Sequence, residues 1–125
     1  QLGEVDGPFS TLIADLVDRG MWDNTLVVVL SEFGRTPNIN KYYGRDHWGT
    51  AWSIAVGGQG LVPGAIIGAT NKEGTAVSDR EVDGGHLFHT YFEALGLDSS
   101  ANHDLDGRIV PIGDPAKAPI KELLA

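Results

Sequence analysis

The sequence predicts an α/β domain in which a doubly wound sheet is flanked by helices. Three features predict it: an amphipathic helix over 8–19, a continuous β-branched run over 25–30, and an aperiodic loop over 31–50 that begins where that run stops.

In the first element, Phe9, Leu12, Ile13, Leu16 and Val17 recur at the spacing of one buried helix face. Asp6 is expected to cap the free N–H groups at its start, Pro8 to sit in the first turn, and Gly20 to close it. After the polar turn Asp23-Asn24, the run TLVVVL over 25–30 reads as a strand buried on both faces.

The stretch SEFGRTPNINKYYGRDHWGT over 31–50 has no period. Open α/β sheets place ligand crevices beyond the C-terminal ends of their strands, where this loop starts. A loop of that length in a compact domain is either functional or poorly ordered, and its aromatics and single proline favour order. Further strands are expected at 51–56 and 65–69, joined by the glycine-rich GGQGLVPG, with surface loop over 70–83. A second helix is expected over 83–95, with Phe88, Tyr91, Phe92 and Leu95 on its apolar face and Gly96 as its stop. A short extended piece follows at 109–112. Residues 113–125 read as a flexible tail whose turn over 120–124 can dock as a helix.

Composition narrows the function. Of 125 residues, 42% are hydrophobic and 21% charged, which is ordinary for a globular domain. The formal charge is −8 and only nine Lys and Arg are scattered along the chain, which argues against a nucleic-acid partner. The absence of cysteine excludes disulfides, thiol catalysis and zinc ribbons within the chain. The longest apolar run, Leu26 to Leu30, falls far short of the roughly 20 residues a membrane span needs. Because the chain starts at Gln1 rather than Met, any targeting segment is expected upstream.

The chemistry-bearing residues cluster in the long loop. Glu32 lies just past the strand end, and Asp46 and His47 lie on the return of the loop, so the three can fold together as oxygen and nitrogen ligands. Arg35 and Arg45 supply planar cationic forks for phosphate or sulfate. The same spacing equally fits a Glu32–Arg35 ion pair at a strand end and a turn in which Asp46 orients His47. Tyr42, Tyr43 and Trp48 either line the crevice or pin the loop. Ser31 lacks the sharp turn that exposes a nucleophile and reads as a structural hydrogen-bonder. His86 and His89 share a helix face at i, i+3 and are expected on its solvated side rather than on a metal. His103 is expected at the surface.

The segments LVVVLSEFGRTP, GRDHW, IIGAT and DLDGRIVPI resemble the C-terminal part of a bacterial family known as domain of unknown function 1501. That family is grouped with alkaline phosphatases, sulfatases and cofactor-independent phosphoglycerate mutases. The resemblance covers almost the whole chain. It implies a single partial domain over 1–125, the C-terminal portion of an alkaline-phosphatase-like doubly wound sheet, in a protein working in the periplasm or outside the cell. It further implies a metal-dependent hydrolase of small phosphate or sulfate esters, or a non-catalytic exported protein that keeps the fold.

In the wider superfamily the corresponding strand ends in an acidic metal ligand, matched here by Glu32, and a later His ligand is matched by His47. The residue after the acid is commonly His or Asn, but here it is Phe33, which cannot coordinate a metal. One divalent ion, zinc first and then manganese, calcium or magnesium, with help from Asp46, is the expected complement. Arg35 takes the catalytic, charge-neutralising role, with Arg45 beside it on the substrate. The nucleophile and remaining ligands have no counterpart here, so the chain alone is expected to be inactive and, with its sheet cut, to self-associate.

Overall fold

The computed structural model describes residues 2–125. It is a mixed α/β structure whose strands form four two-stranded antiparallel sheets. In chain order these are α1 (Leu2–Asp18), β1 (Leu26–Val29), β2 (Gly34–Arg35), β3 (His47–Trp48), β4 (Ala55–Gly58), β5 (Ala69–Thr70), β6 (Val77–Asp79), α2 (Gly84–Ala94), β7 (Asn102–Leu105) and β8 (Arg108–Pro111), with 3-10 turns at Trp22–Asn24 and Lys121–Leu123.

Helix α1 begins well before Pro8, so Pro8 lies inside it and Asp6 is a helical residue rather than the cap. Proline removes one backbone donor from the ladder. Nearby hydroxyls bond back onto the carbonyls there: Ser10 Oγ donates to Asp6 O at 2.6 Å and Thr11 Oγ1 to Gly7 O at 2.9 Å. The expected apolar stripe is present, yet Phe9, Leu12 and Val17 are exposed and Ile13 and Leu16 only half-buried. Periodicity marked the face correctly; among the described residues only the turn at Trp22–Asn24 meets α1 to any extent, and most of the stripe stays uncovered.

Strand β1 is half-buried rather than buried on both faces, and Val29 and Leu30 are exposed. It pairs antiparallel with β4, Leu26 opposite Gly58 and Val29 opposite Ala55. The second strand therefore sits later than the 51–56 expected. Ala51 and Trp52 are instead pressed against the β2–β3 hairpin, where a Cβ on Gly34 would stand 2.5 Å from Ala51 O and 2.9 Å from Trp52 Cβ. At Gly58 the backbone turns left-handed (φ +93) with its Cα against Thr25 O, a place only glycine fills. Of the strand expected over 65–69, only Ala69 is in a strand, which with Thr70 forms β5 and pairs with β6, because Gly64 and Gly68 both adopt positive φ and break the extended run.

The small core lies around α2, where Ala94, Thr90, His89 and Ile120 are buried. Asp83 caps α2, accepting from Gly85 N and His86 N, while His86 Nδ1 accepts from Asp83 N at 3.2 Å. Thr90 Oγ1 donates to His86 O and accepts from Ile120 N at 2.8 Å. The C-terminal residues are tied down further: Val62 N donates to Leu123 O, Ala125 N to Gly60 O, and Arg80 forms a two-pronged ion pair with Glu122 at 3.0 and 3.1 Å. That pairing raises the Arg80 pKa and lowers that of Glu122, through the shared hydrogen bonds first.

His89 does not lie on a solvated face. It is 5% exposed, with Nδ1 2.6 Å from Ser99 Oγ and Nε2 2.8 Å from Asp114 O. Since the carbonyl can only accept, Nε2 carries the proton and Nδ1 accepts from the Ser99 hydroxyl. The ring joins helix, following turn and tail. Hydropathy alone placed it outside because a histidine with both nitrogens partnered is as buriable as an apolar residue. His86 is half-buried at the cap, and His103 is exposed as expected, on β7.

Candidate functional site

The long loop is a hairpin. β2 and β3 pair antiparallel with Gly34 opposite Trp48 and Arg35 opposite His47, and Thr36 N extends the ladder to Asp46 O at 3.0 Å. Directly opposed side chains on such a pair have Cβ atoms about 5 Å apart. The two ends of the loop are thereby joined shortly after β1 in the chain.

Within the hairpin, Asn40 organises the tip. Its Oδ1 accepts from Tyr42 N at 2.9 Å and Gly44 N at 3.1 Å, and its Nδ2 donates to Asp46 Oδ1 at 2.8 Å. Asn40 N donates to Gly44 O and Tyr43 N to Asn40 O, closing the turn. Tyr43 is held left-handed (φ 62) and is 95% exposed. Trp48 Nε1 donates to Thr75 O at 2.9 Å, so this ring pins the hairpin to the β5–β6 loop. Tyr42 and Tyr43 do not pin it; both rings are exposed.

The candidate residues separate into two groups. Phe33, Arg35 and His47 touch: the Phe33 and His47 rings are 3.9 Å apart at 30°, and the Arg35 guanidinium carbon lies 5.5 Å from the Phe33 centroid. Arg35 and His47 are exposed, and neither ring nitrogen of His47 is hydrogen-bonded among the described residues. Arg35 Nη1 donates to Arg45 O at 3.3 Å, which leaves most of its donors outward. Asp46, adjacent to His47 on the strand, points its carboxylate to Asn40 instead. Arg45 directs Nη1 to the carbonyls of Thr36 (2.8 Å) and Pro37, stapling the loop. Glu32 is exposed in the bend after β1 and makes no ion pair with Arg35. Ser31 Oγ donates to Phe33 O at 2.9 Å, the structural bond expected of it.

No group of three or more His, Asp or Glu side chains that could hold a metal is gathered among the described residues. Glu32, Asp46 and His47 thus do not form a closed donor set by themselves. The arrangement offers two outward cationic or N–H-bearing groups beside an aromatic ring, with a carboxylate at the neighbouring bend. Such a surface can hold an anion and can lend one or two donors to a larger site.

Asn40 was not singled out in the sequence, although Asn followed shortly by Gly is a turn signal with a mechanism. The Phe33 contact had no signal at all, since it depends on strand pairing. No helix is long and apolar enough to cross a membrane among the described residues. No curated protein and no solved structure matches this chain. The sequence profile of one family, described as "Protein of unknown function (DUF1501)", matches residues 1–124, and the chain belongs to that family.

Proposed function

We propose that this chain is the C-terminal part of a metal-dependent hydrolase of phosphate or sulfate esters, completing there an alkaline-phosphatase-like doubly wound sheet. The observation that carries the reading is the pairing of Arg35 with His47, both exposed, on a hairpin just beyond β1.

Arg35 presents a planar fork that pairs with two oxygens of a tetrahedral anion and neutralises charge building on it. Arg45 adds positive potential beside it while shaping the loop. Glu32 and His47, with Asp46 close by, offer oxygen and nitrogen donors suited to zinc first, then manganese, calcium or magnesium. When bound, such an ion polarises an ester oxygen and makes a water or hydroxyl a better nucleophile. The described residues supply too few donors to hold it unaided, so the other ligands and the nucleophile come from elsewhere in a longer, exported polypeptide. The chain alone is then inactive.

A second reading, a non-catalytic exported binding or structural protein with the same fold, is favoured by Phe33, which lies where a second ligand would be useful and instead stacks on His47. Metal analysis and aryl phosphate and aryl sulfate hydrolysis by the full-length gene product separate the two. The hydrolase reading expects bound metal and turnover, both reduced in Glu32→Ala and His47→Ala. Equal, negligible metal in wild type and both variants overturns it.

A further inference from the structure

The hairpin register puts Arg35 and His47 side by side, and Phe33 touches both. Phe33 is two residues before Arg35 on the same run of chain, so their side chains emerge on one face, and His47 completes the group from across the ladder. Phe33 is half-buried while Arg35 and His47 are exposed. The ring is thus the fixed member against which two flexible polar groups rest.

An exposed arginine alone loses rotamer entropy when it is fixed by a ligand. An aromatic face that already holds the guanidinium reduces that loss, and stacking fixes the imidazole plane in the same way. Stacking occupies the face of the His47 ring and leaves its one N–H to donate while the other nitrogen can face an ion, and Arg35 keeps the donors it does not give to Arg45 O; donation from two adjacent groups suits the oxygens of a tetrahedral oxyanion.

Building on the hydrolase reading, we infer that Phe33 is a positioning residue that pre-arranges Arg35 and His47 as a paired donor site for a tetrahedral oxyanion, the phosphate or sulfate group of the ester. Phe33 then replaces coordination with preorganisation: it holds no ion itself and sets the groups that hold the anion. Inorganic phosphate and inorganic sulfate are the probes that report the shared chemistry and, by their relative affinities, which ester is preferred.

The test is calorimetric titration of each anion into the full-length gene product in metal-free buffer. Arg35→Ala is expected to abolish measurable binding. Phe33→Leu is expected to weaken it roughly five- to tenfold, from the loss of the stacked and cation–π contacts. Phe33→Tyr, which keeps the ring, is expected to stay within about twofold of wild type. Thermal unfolding of each variant checks the fold, and rescue by Tyr but not Leu is the signature a merely space-filling role would not give. If Phe33→Leu binds as wild type while Arg35→Ala does not, the positioning role is overturned and the hydrolase reading stands. Equal loss in Phe33→Tyr and Phe33→Leu overturns it too. If wild type binds neither anion, the inference falls, and metal content and turnover still judge the hydrolase reading separately.

Discussion

Lys117 Nζ lies 2.5 Å from Asp83 Oδ2, joining the cap of α2 to the C-terminal tail across 34 residues of sequence. The other oxygen of the same carboxylate accepts from Gly85 N and His86 N. One side chain therefore starts a helix and anchors the tail that packs on it.

The Asp83 carboxyl is held down to about 2, chiefly by the Lys117 hydrogen bond and then by the His86 backbone N–H. Its unfolded value is about 4, so the ionised form is the one the fold stabilises. This contribution is complete above about pH 5 and is lost as pH falls toward 2. With Asp83 42% exposed, screening leaves about 1 kcal/mol of it. Denaturant titrations between pH 6 and pH 2 should show that loss in wild type. Asp83→Asn should be weaker at neutral pH and flatter over the same range, and an unchanged pH profile in that variant would refute the assignment.

Gly113→Ala should destabilise the protein by about 1–3 kcal/mol. The added Cβ would stand 2.6 Å from His89 Cε1 and 2.9 Å from Ser99 O, and neither the doubly bonded ring nor the backbone can move aside freely. Chemical denaturation measures this, and a variant as stable as wild type would show that the His89 clamp is loose.

Gly34→Ala should damage the site more than the fold. Its Cβ would meet Ala51 O at 2.5 Å and Trp52 Cβ at 2.9 Å, so the hairpin must shift away from the segment behind it. Loss of anion binding with a melting transition still present is the expected result. Wild-type binding would mean that the hairpin adapts.

Asn40→Ala removes three hydrogen bonds from the loop tip. Each exposed bond contributes about 0.5–1 kcal/mol, so global stability changes little while the tip loosens. Amide exchange at Tyr42, Tyr43 and Gly44 should accelerate at least about tenfold, since about 1.4 kcal/mol of local opening free energy corresponds to that factor. Unchanged protection would show that the tip is held by something other than Asn40.

The isolated 125-residue chain should self-associate. Val5, Phe9, Leu12 and Val17 on α1 and Val29 and Leu30 at and just past the end of β1 are all exposed, and exposed apolar side chains of this kind promote association. Light scattering over a concentration series should show mass growth that Leu12→Lys with Val17→Lys reduces. A compact wild-type monomer at all concentrations would contradict it.

The sequence by itself determined both helices, the hydrophobic strand after α1 and the long polar loop following it, with the ionisable and aromatic residues that loop contains. These are local properties: helical period, β-branched runs and glycine stops act over a few residues, and Gly20 and Gly96 do take the left-handed positions that close α1 and α2. Tertiary structure alone decided that β1 pairs with β4 in an antiparallel register, that α1 carries its apolar stripe in the open, and that His89 is a buried clamp. It also decided which loop residues meet. Asp46 turns to Asn40 while its neighbour His47 joins Phe33 and Arg35, because adjacent residues on a strand face opposite ways and the partner each finds is set by a register that no short stretch of sequence encodes.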